Sequence, residues 1–166
     1  MENEFRVRPT SPVDRDQIIE LKLDILQNRY KGYLPEKNLG KMDRAYVAGV
    51  VDQWMDNQAC QVGILTSENK ALGYIVCTPD PELQGWGLIL DAGARDTVSC
   101  DEIEKMFRWA NTVLRGKGCQ RTHVWLLQDN LRARFMIESF GFKAQKEMKL
   151  VQIADYTMTE RHYVYS

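Results

Sequence analysis

Asn130-Leu-Arg-Ala133-Arg-Phe-Met136-Ile137-Glu-Ser-Phe140-Gly141-Phe142 is the most informative run of this 166-residue chain. Asparagine is a favoured helix N-cap, because its side-chain oxygen accepts from a free N–H of the first turn. Ala133, Met136, Ile137 and Phe140 then share one face of a short helix, and Gly141 closes it. Upstream, Thr122 to Leu127 reads as a strand. Before that, Ile103, Met106, Phe107, Ala110, Val113 and Leu114 repeat with helical period over Asp101 to Arg115, ended by Gly116 and Gly118.

Further out, three β candidates run from Gln61 to Thr66, Ala71 to Cys77 and Trp86 to Asp91, with turn residues Glu68-Asn-Lys70 and Pro79-Asp-Pro81 between them. They follow a helix carrying Val47, Val50, Val51 and Trp54 at i, i+3, i+4 and i+7. Tyr30 to Glu36 reads as a turn, broken by Gly32 and Pro35. Asp14 to Arg29 is helical, with Ile18, Leu21 and Ile25 on one stripe, and Phe5 to Arg8 alternates as a strand ended by Pro9 and Pro12. Lys146 to Ile153 and Arg161 to Tyr165 are the closing strands. The order β-α-α-β-β-β-α-β-α-β-β predicts an α/β chain with a mixed sheet between helical layers, and a right-handed crossover through the Asp101 helix makes two strands parallel.

Composition narrows the classes. Length and the lack of repeats or linkers predict a single domain over 1–166. Lys plus Arg total 22 and Asp plus Glu 23, a net charge of −1. Such a chain has no global field for polyanions, so no nucleic-acid partner is expected. Apolar stretches such as Tyr74 to Cys77 are far shorter than the roughly 20 residues of a membrane span, so no membrane partner is expected either. The start Met1-Glu-Asn-Glu-Phe5 lacks the basic and apolar regions of a secretory signal, which places the expectation in the cytoplasm. Cys60, Cys77, Cys100 and Cys119 have no CxxC spacing, and only His123 and His162 could join them, so no metal site is expected.

The element order resembles the GNAT (GCN5-related N-acetyltransferase) superfamily. Asn130-x-x-Ala133-x-x-Met136-Ile137-x-x-x-Gly141-Phe142 is similar to its Asn-x-x-Ala-x-x-Leu-Tyr-x-x-x-Gly-Phe signature. Phe5-Arg-Val-Arg-Pro9 with Asp14, Ile18 and Leu21 resembles its opening strand and helix. The resemblance implies a three-layer α/β/α fold with a six- to seven-stranded sheet and a splayed parallel pair. It implies acetyl-CoA as co-substrate and transfer of the acetyl group to a primary amine of a small molecule or peptide. The other reading is a GNAT-fold binding or regulatory protein without catalysis.

The same resemblance places the pyrophosphate loop at Arg95-Asp96-Thr97-Val98-Ser99-Cys100. There the family has Gln/Arg-x-x-Gly-x-Gly/Ala, so that backbone N–H groups and the helix dipole face the anion. Arg95 fits the pattern. Val98 and Cys100 put side chains where glycine or alanine is usual and are expected to crowd the cradle. Ser99 and Glu102 form a capping-box pattern, and Asp101 and Glu102 bring negative charge into the first turn. A helix capped by its own side chains, binding no anion, is the equal alternative. Asn130 and Arg134, with Arg132, are the remaining cofactor-binding candidates.

Backbone N–H groups around Leu90 to Ala92 would face the thioester. Asp91, the one carboxylate of its strand, is the candidate base, set against an ordinary solvated strand-end aspartate. Ile137 stands where the family commonly has a tyrosine acid. His123 falls at the wrong end of its strand for catalysis and reads as structural. Tyr30, Tyr33 and Trp54 form the expected acceptor pocket, with packing as the other reading. Arg161-His-Tyr-Val-Tyr165, polar and aromatic by turns, is the candidate edge for a homodimer.

Overall fold

The computed structural model describes residues 4–166; residues 1–3, which open the acidic start read above, lie outside the described residues. The chain runs β1 (Phe5–Pro9), a 3-10 turn (Pro12–Asp14), α1 (Arg15–Tyr30), α2 (Glu36–Leu39), α3 (Arg44–Asp56), β2 (Gln61–Ser67), β3 (Lys70–Pro79) and β4 (Trp86–Ala94). It continues through α4 (Cys100–Gly116), β5 (Arg121–Leu127), α5 (Leu131–Ser139), β6 (Lys143–Ile153) and β7 (Tyr156–Tyr165). The predicted order holds, with most boundaries within a few residues. The short α2 is the element the sequence did not announce. It is too short to show a period, and tertiary contacts hold it: Asn38 Nδ2 donates to Ala154 O at 2.8 Å and Lys41 pairs with Asp155 at 2.7 Å.

All seven strands join one sheet in the order β1-β2-β3-β4-β5-β7-β6. Neighbours are antiparallel except β4 and β5, whose parallel ladder runs from Trp86 opposite Arg121 to Ile89 opposite Val124 and then stops. Both strands continue past that point, so the sheet opens there. A bulge contributes to the parting. Val76 faces Asp91 and Cys77 faces Ile89, which leaves Leu90 as an extra residue without a partner on β3. Such a bulge bends and twists the strand that carries it.

Each face of the sheet buries its own core. One contains Ile18, Leu21 and Leu26 of α1 and Val47, Val51 and Trp54 of α3 against Ile64, Tyr74 and Val76. The other contains Met106, Phe107, Ala110 and Leu114 of α4 and Ile137 of α5 against Ile75, Cys77, Val124 and Tyr163. This is the expected three-layer α/β/α arrangement. One expectation fails: β7 lies inside the sheet between β5 and β6, so Arg161 to Tyr165 is not an edge. The hairpin it makes with β6 puts β6 outside, which a linear reading of strands could not foresee.

Two local constraints give measurable consequences. A methyl group added at Gly63 would lie 2.6 Å from Trp109 Cζ3 of α4, whereas nothing lies within 4 Å of one added at Gly49 in α3. Gly63→Ala is expected to cost about 1–3 kcal/mol by overpacking, and Gly49→Ala to add about 0.5–1 kcal/mol from helix propensity; guanidinium melts compare the two. Asp14 accepts two bonds from Arg8, at 2.9 Å each, and one from Ser11 N. Chiefly through the Arg8 bond, its carboxyl falls to about 2. A depressed carboxyl stabilises the fold above the unfolded value, near 3.9, and that contribution is lost as pH falls through about 2. The stability gap between wild type and Asp14→Asn, read by urea melts, is therefore expected to be full at pH 7 and to close between about pH 4 and pH 2.

Candidate functional site

A cavity of about 800 Å³ opens where β4 leaves β5. Tyr30, Tyr33 and Trp54, nominated from the sequence as an acceptor pocket, all line it, joined by Tyr46 of α3. They come from α1, the turn that follows it and α3, on one face of the sheet, so the aromatic wall is assembled by tertiary packing.

On its floor sits Asp91, and the solvated strand-end reading of that residue is overturned. Only 15% of its side chain is exposed. Lys22 Nζ donates to its Oδ2 at 2.6 Å, Tyr74 OH to the same oxygen at 2.8 Å, and Arg29 Nη1 to Oδ1 at 3.3 Å. Lys22 and Arg29 are seven residues apart, two helical turns, and therefore project from one face of α1. Burial opposes the Asp91 charge, yet Lys22 and Arg29 hold its carboxyl below the usual range. Burial raises Tyr74 well above the ordinary phenol value, with the Asp91 charge adding to it. Asp91 is thus a satisfied anion that clamps α1 to β4, and a carboxylate with its lone pairs so occupied is a poor proton acceptor. The sequence missed Lys22, Arg29 and Tyr74 as its partners. A charged residue on the apolar side of the α1 pattern, Lys22, was the available signal.

Arg29 also donates from Nη2 to Ala92 O at 2.6 Å. Gly93 makes room for it, since a side-chain carbon there would lie 3.0 Å from that nitrogen. The Ala92 N–H is engaged by the Asp91 side chain, at 2.9 Å to Oδ1. Leu90, the bulged residue, is 43% exposed toward the opening.

The loop at the start of α4 differs from its sequence reading. Val98 is 4% exposed and packs in the core with Met106 and Phe107, so its side chain is turned away and does not crowd the cradle. Cys100 is exposed at the helix start. Only half of the capping box forms: Ser99 Oγ accepts from Glu102 N at 3.3 Å. The Glu102 carboxylate instead pairs with Lys105 at 2.9 Å, the i,i+3 neighbour along the helix. Arg95 reaches Asp24 at 3.1 Å, and Arg132 stands 3.9 Å from Asp96 across the mouth of the loop. Arg134 is committed elsewhere, donating from Nε to Tyr163 OH and from Nη1 to Gln128 O, each at 2.9 Å. Asn130 caps α5 through Ala133 N at 3.1 Å, and Ile137 is buried.

One further group was invisible to sequence reasoning. Glu160 of β7 lines the same cavity, with 18% of its side chain exposed. Tyr30, beside it, is pushed up to about 12 by burial. His123 lies apart from the cavity, as expected for a structural residue. It contacts Asp80 Oδ2 at 2.7 Å and His162 Nε2 at 2.9 Å, between the rings of Trp86 and Trp125 that pack on the two histidines. Among the described residues no group of three or more His, Cys, Asp or Glu could hold a metal, and no helix is long and apolar enough to cross a membrane.

No family model matches the chain, and no curated protein matches it in sequence. Its likeness to known proteins is structural. PaiA N-acetyltransferase from Thermoplasma acidophilum, solved in complex with coenzyme A, superposes with a TM-score of 0.76 at 12% identity, over 98% of this chain and 99% of that one. A ribosomal-protein-alanine N-acetyltransferase from Brucella melitensis gives 0.72 at 11% identity, over 96% and 98%. A structure described as a probable GNAT-family acetyltransferase from Chromobacterium violaceum gives 0.73 at 10% identity, over 99% and 88%. The mixed seven-stranded sheet with its parallel β4–β5 pair and its helices matches the GNAT fold, and this chain has that fold.

Proposed function

We propose that this protein transfers an acetyl group from acetyl-CoA to a primary amine of a small molecule or peptide. The observation that carries the reading is the parting of β4 from β5 over a cavity walled on one side by Tyr30, Tyr33, Tyr46 and Trp54. A strand that leaves its neighbour frees a slot for an extended ligand, and an aromatic wall suits an organic acceptor.

The loop residues fit a pyrophosphate once the position of Val98 is taken into account. With its side chain in the core, Val98 does not fill the loop; Arg95 N donates to Leu72 O and Val98 N to Arg95 O, so Asp96, Thr97 and Ser99 are the loop residues whose N–H groups would meet an anion, and Arg95 and Arg132 supply positive charge at the mouth. Bound acetyl-CoA would supply an activated thioester. The chain's own tasks are then to orient the acceptor, exclude water and manage protons. Lys22, Arg29 and Tyr74 fix Asp91, and through it the course of β4 along the slot. Ile137 has no proton to give a departing thiolate. Tyr30, whose phenol burial raises above its ordinary value, offers one cavity hydroxyl for that role, giving its proton to the sulfur as it takes up the surplus proton of the amine.

Asp101 and Glu102 in the first turn of α4, with Ser99 capping it, favour a second reading: a GNAT-fold binding module that does not use acetyl-CoA. Acetyl-CoA binding separates the two. At 100 times its dissociation constant a ligand adds about 2.7 kcal/mol of stability, and a thermal shift of that order is expected with acetyl-CoA. Arg95→Ala should reduce it several-fold. No shift at millimolar acetyl-CoA would sink the transfer reading.

The role given to Asp91 has its own test. Asp91→Asn leaves Lys22 and Arg29 without their counter-charge in a largely buried place, and breaking such a cluster is expected to cost about 3–5 kcal/mol. Chemical denaturation checks this. A loss under about 1 kcal/mol would show that Asp91 does not organise the floor of the site.

A further inference from the structure

Of the four carboxylates that line the cavity, Asp24 and Asp96 are exposed beside Arg95 and Arg132, while Asp91 and Glu160 lie deeper, in opposite circumstances. Asp91 accepts from Lys22, Tyr74, Arg29 and its neighbour's N–H. Glu160 has a single cation nearby, Lys149 Nζ, at 3.7 Å from Oε1, which is longer than a hydrogen bond. That lysine is drawn over the Trp125 ring, 4.4 Å from its centre. Across the ladder β5 opposes Glu160 with Leu127, which can neither donate nor carry charge. Tyr30 of α1 completes its surroundings from the helical side of the cavity. Burial raises the Glu160 carboxyl above the ordinary value, with Lys149 opposing. Where two titratable groups of one site are driven apart in this way, the lowered one stays charged and the raised one is suited to proton exchange.

We infer that Glu160 is the residue that receives the acceptor: its carboxylate binds a primary ammonium group and takes one proton from it. The inference rests on the acetyl-transfer reading for its chemistry but not for its binding. R–NH3+ and Glu–COO− become R–NH2 and Glu–COOH. The amine nitrogen then bonds to the thioester carbonyl carbon as the C–S bond breaks, the surplus amine proton passes to the sulfur, and Glu160 returns its own proton to solvent. Tyr30 and Tyr33 of the same cavity offer ring faces that favour a cation, whereas the Trp54 ring already carries Lys22 Nζ, 5.0 Å from its centre. The acceptor class is therefore an amine carrying an aromatic or apolar body, because Val151 and Ile153 of β6 and Met42 complete the wall.

The test uses the full-length protein and two probes of nearly equal shape, phenethylamine and 2-phenylethanol, titrated by calorimetry. A charge-assisted contact predicts that wild type binds the amine about tenfold or more tighter than the alcohol. Glu160→Gln is expected to abolish that preference while leaving the acetyl-CoA thermal shift unchanged. Glu160→Asp keeps the charge on a shorter stem, so it should retain part of the preference and serves if the glutamine variant folds poorly. The inference is overturned if wild type binds both probes equally or binds neither at millimolar concentration, or if the preference survives in Glu160→Gln. A missing acetyl-CoA shift in wild type would instead remove the transfer reading, and the amine preference would stand or fall by its own titration. Where the chemistry proceeds, amine acetylation by wild type should rise with pH through the raised Glu160 value, a limb that Glu160→Gln should lack.

Discussion

Everything distinctive about this molecule depends on how a strand is held where its neighbour has departed. β4 loses β5 after Ile89, yet past its bulge it stays paired with β3 to Ala94. What replaces the missing partner is charge. Two cations on one face of α1 reach the strand, Lys22 to the Asp91 side chain and Arg29 to both Asp91 and the Ala92 carbonyl. Buried ion pairs of this kind contribute little net stability against an apolar alternative, but they fix geometry, because a poorly placed partner leaves a charge uncompensated. Here the fixed geometry is the position of α1 over an open slot.

That arrangement also sorts the polar groups of the cavity. Deep in the floor, charges are matched and silent. Toward the β7 wall, Glu160 is half-buried, with Lys149 at 3.7 Å as its ion-pair partner among the described residues, and Tyr30 keeps its proton because its charged form is disfavoured. A partly desolvated and incompletely paired environment is where proton exchange near neutral pH becomes possible, and the fold creates it by bringing β7 to the same cavity as the end of α1.

The periodic parts of this architecture were legible in the sequence. The α4 pattern, the Asn130 cap and the Gly141 stop are local, and each formed as the residues dictated. The grouping of Tyr30, Tyr33 and Trp54 in one pocket follows from the resemblance to GNAT proteins, and all three line the cavity. What could not be read was whatever depends on a side chain's direction. Val98 looked like an obstruction in the loop, and its turn into the core became visible only in three dimensions. Asp91 looked exposed because its partners lie 69 and 62 residues away. Glu160 had no local pattern at all. The capping box half failed for a simpler reason, since Lys105 offered Glu102 a better partner than its own backbone.

The strand order carries a consequence for how the molecule is assembled. β6 touches the sheet solely through β7, and β7 is the strand that docks on β5. During synthesis the earlier of the two must therefore wait, solvated, for the later one to emerge. Its sequence suits that delay: Lys143, Lys146 and Lys149 keep the unpaired strand hydrated and discourage it from adding to another chain. The cavity wall that contains Glu160 thus depends on a strand made after the residues of the aromatic wall and the Asp91 floor.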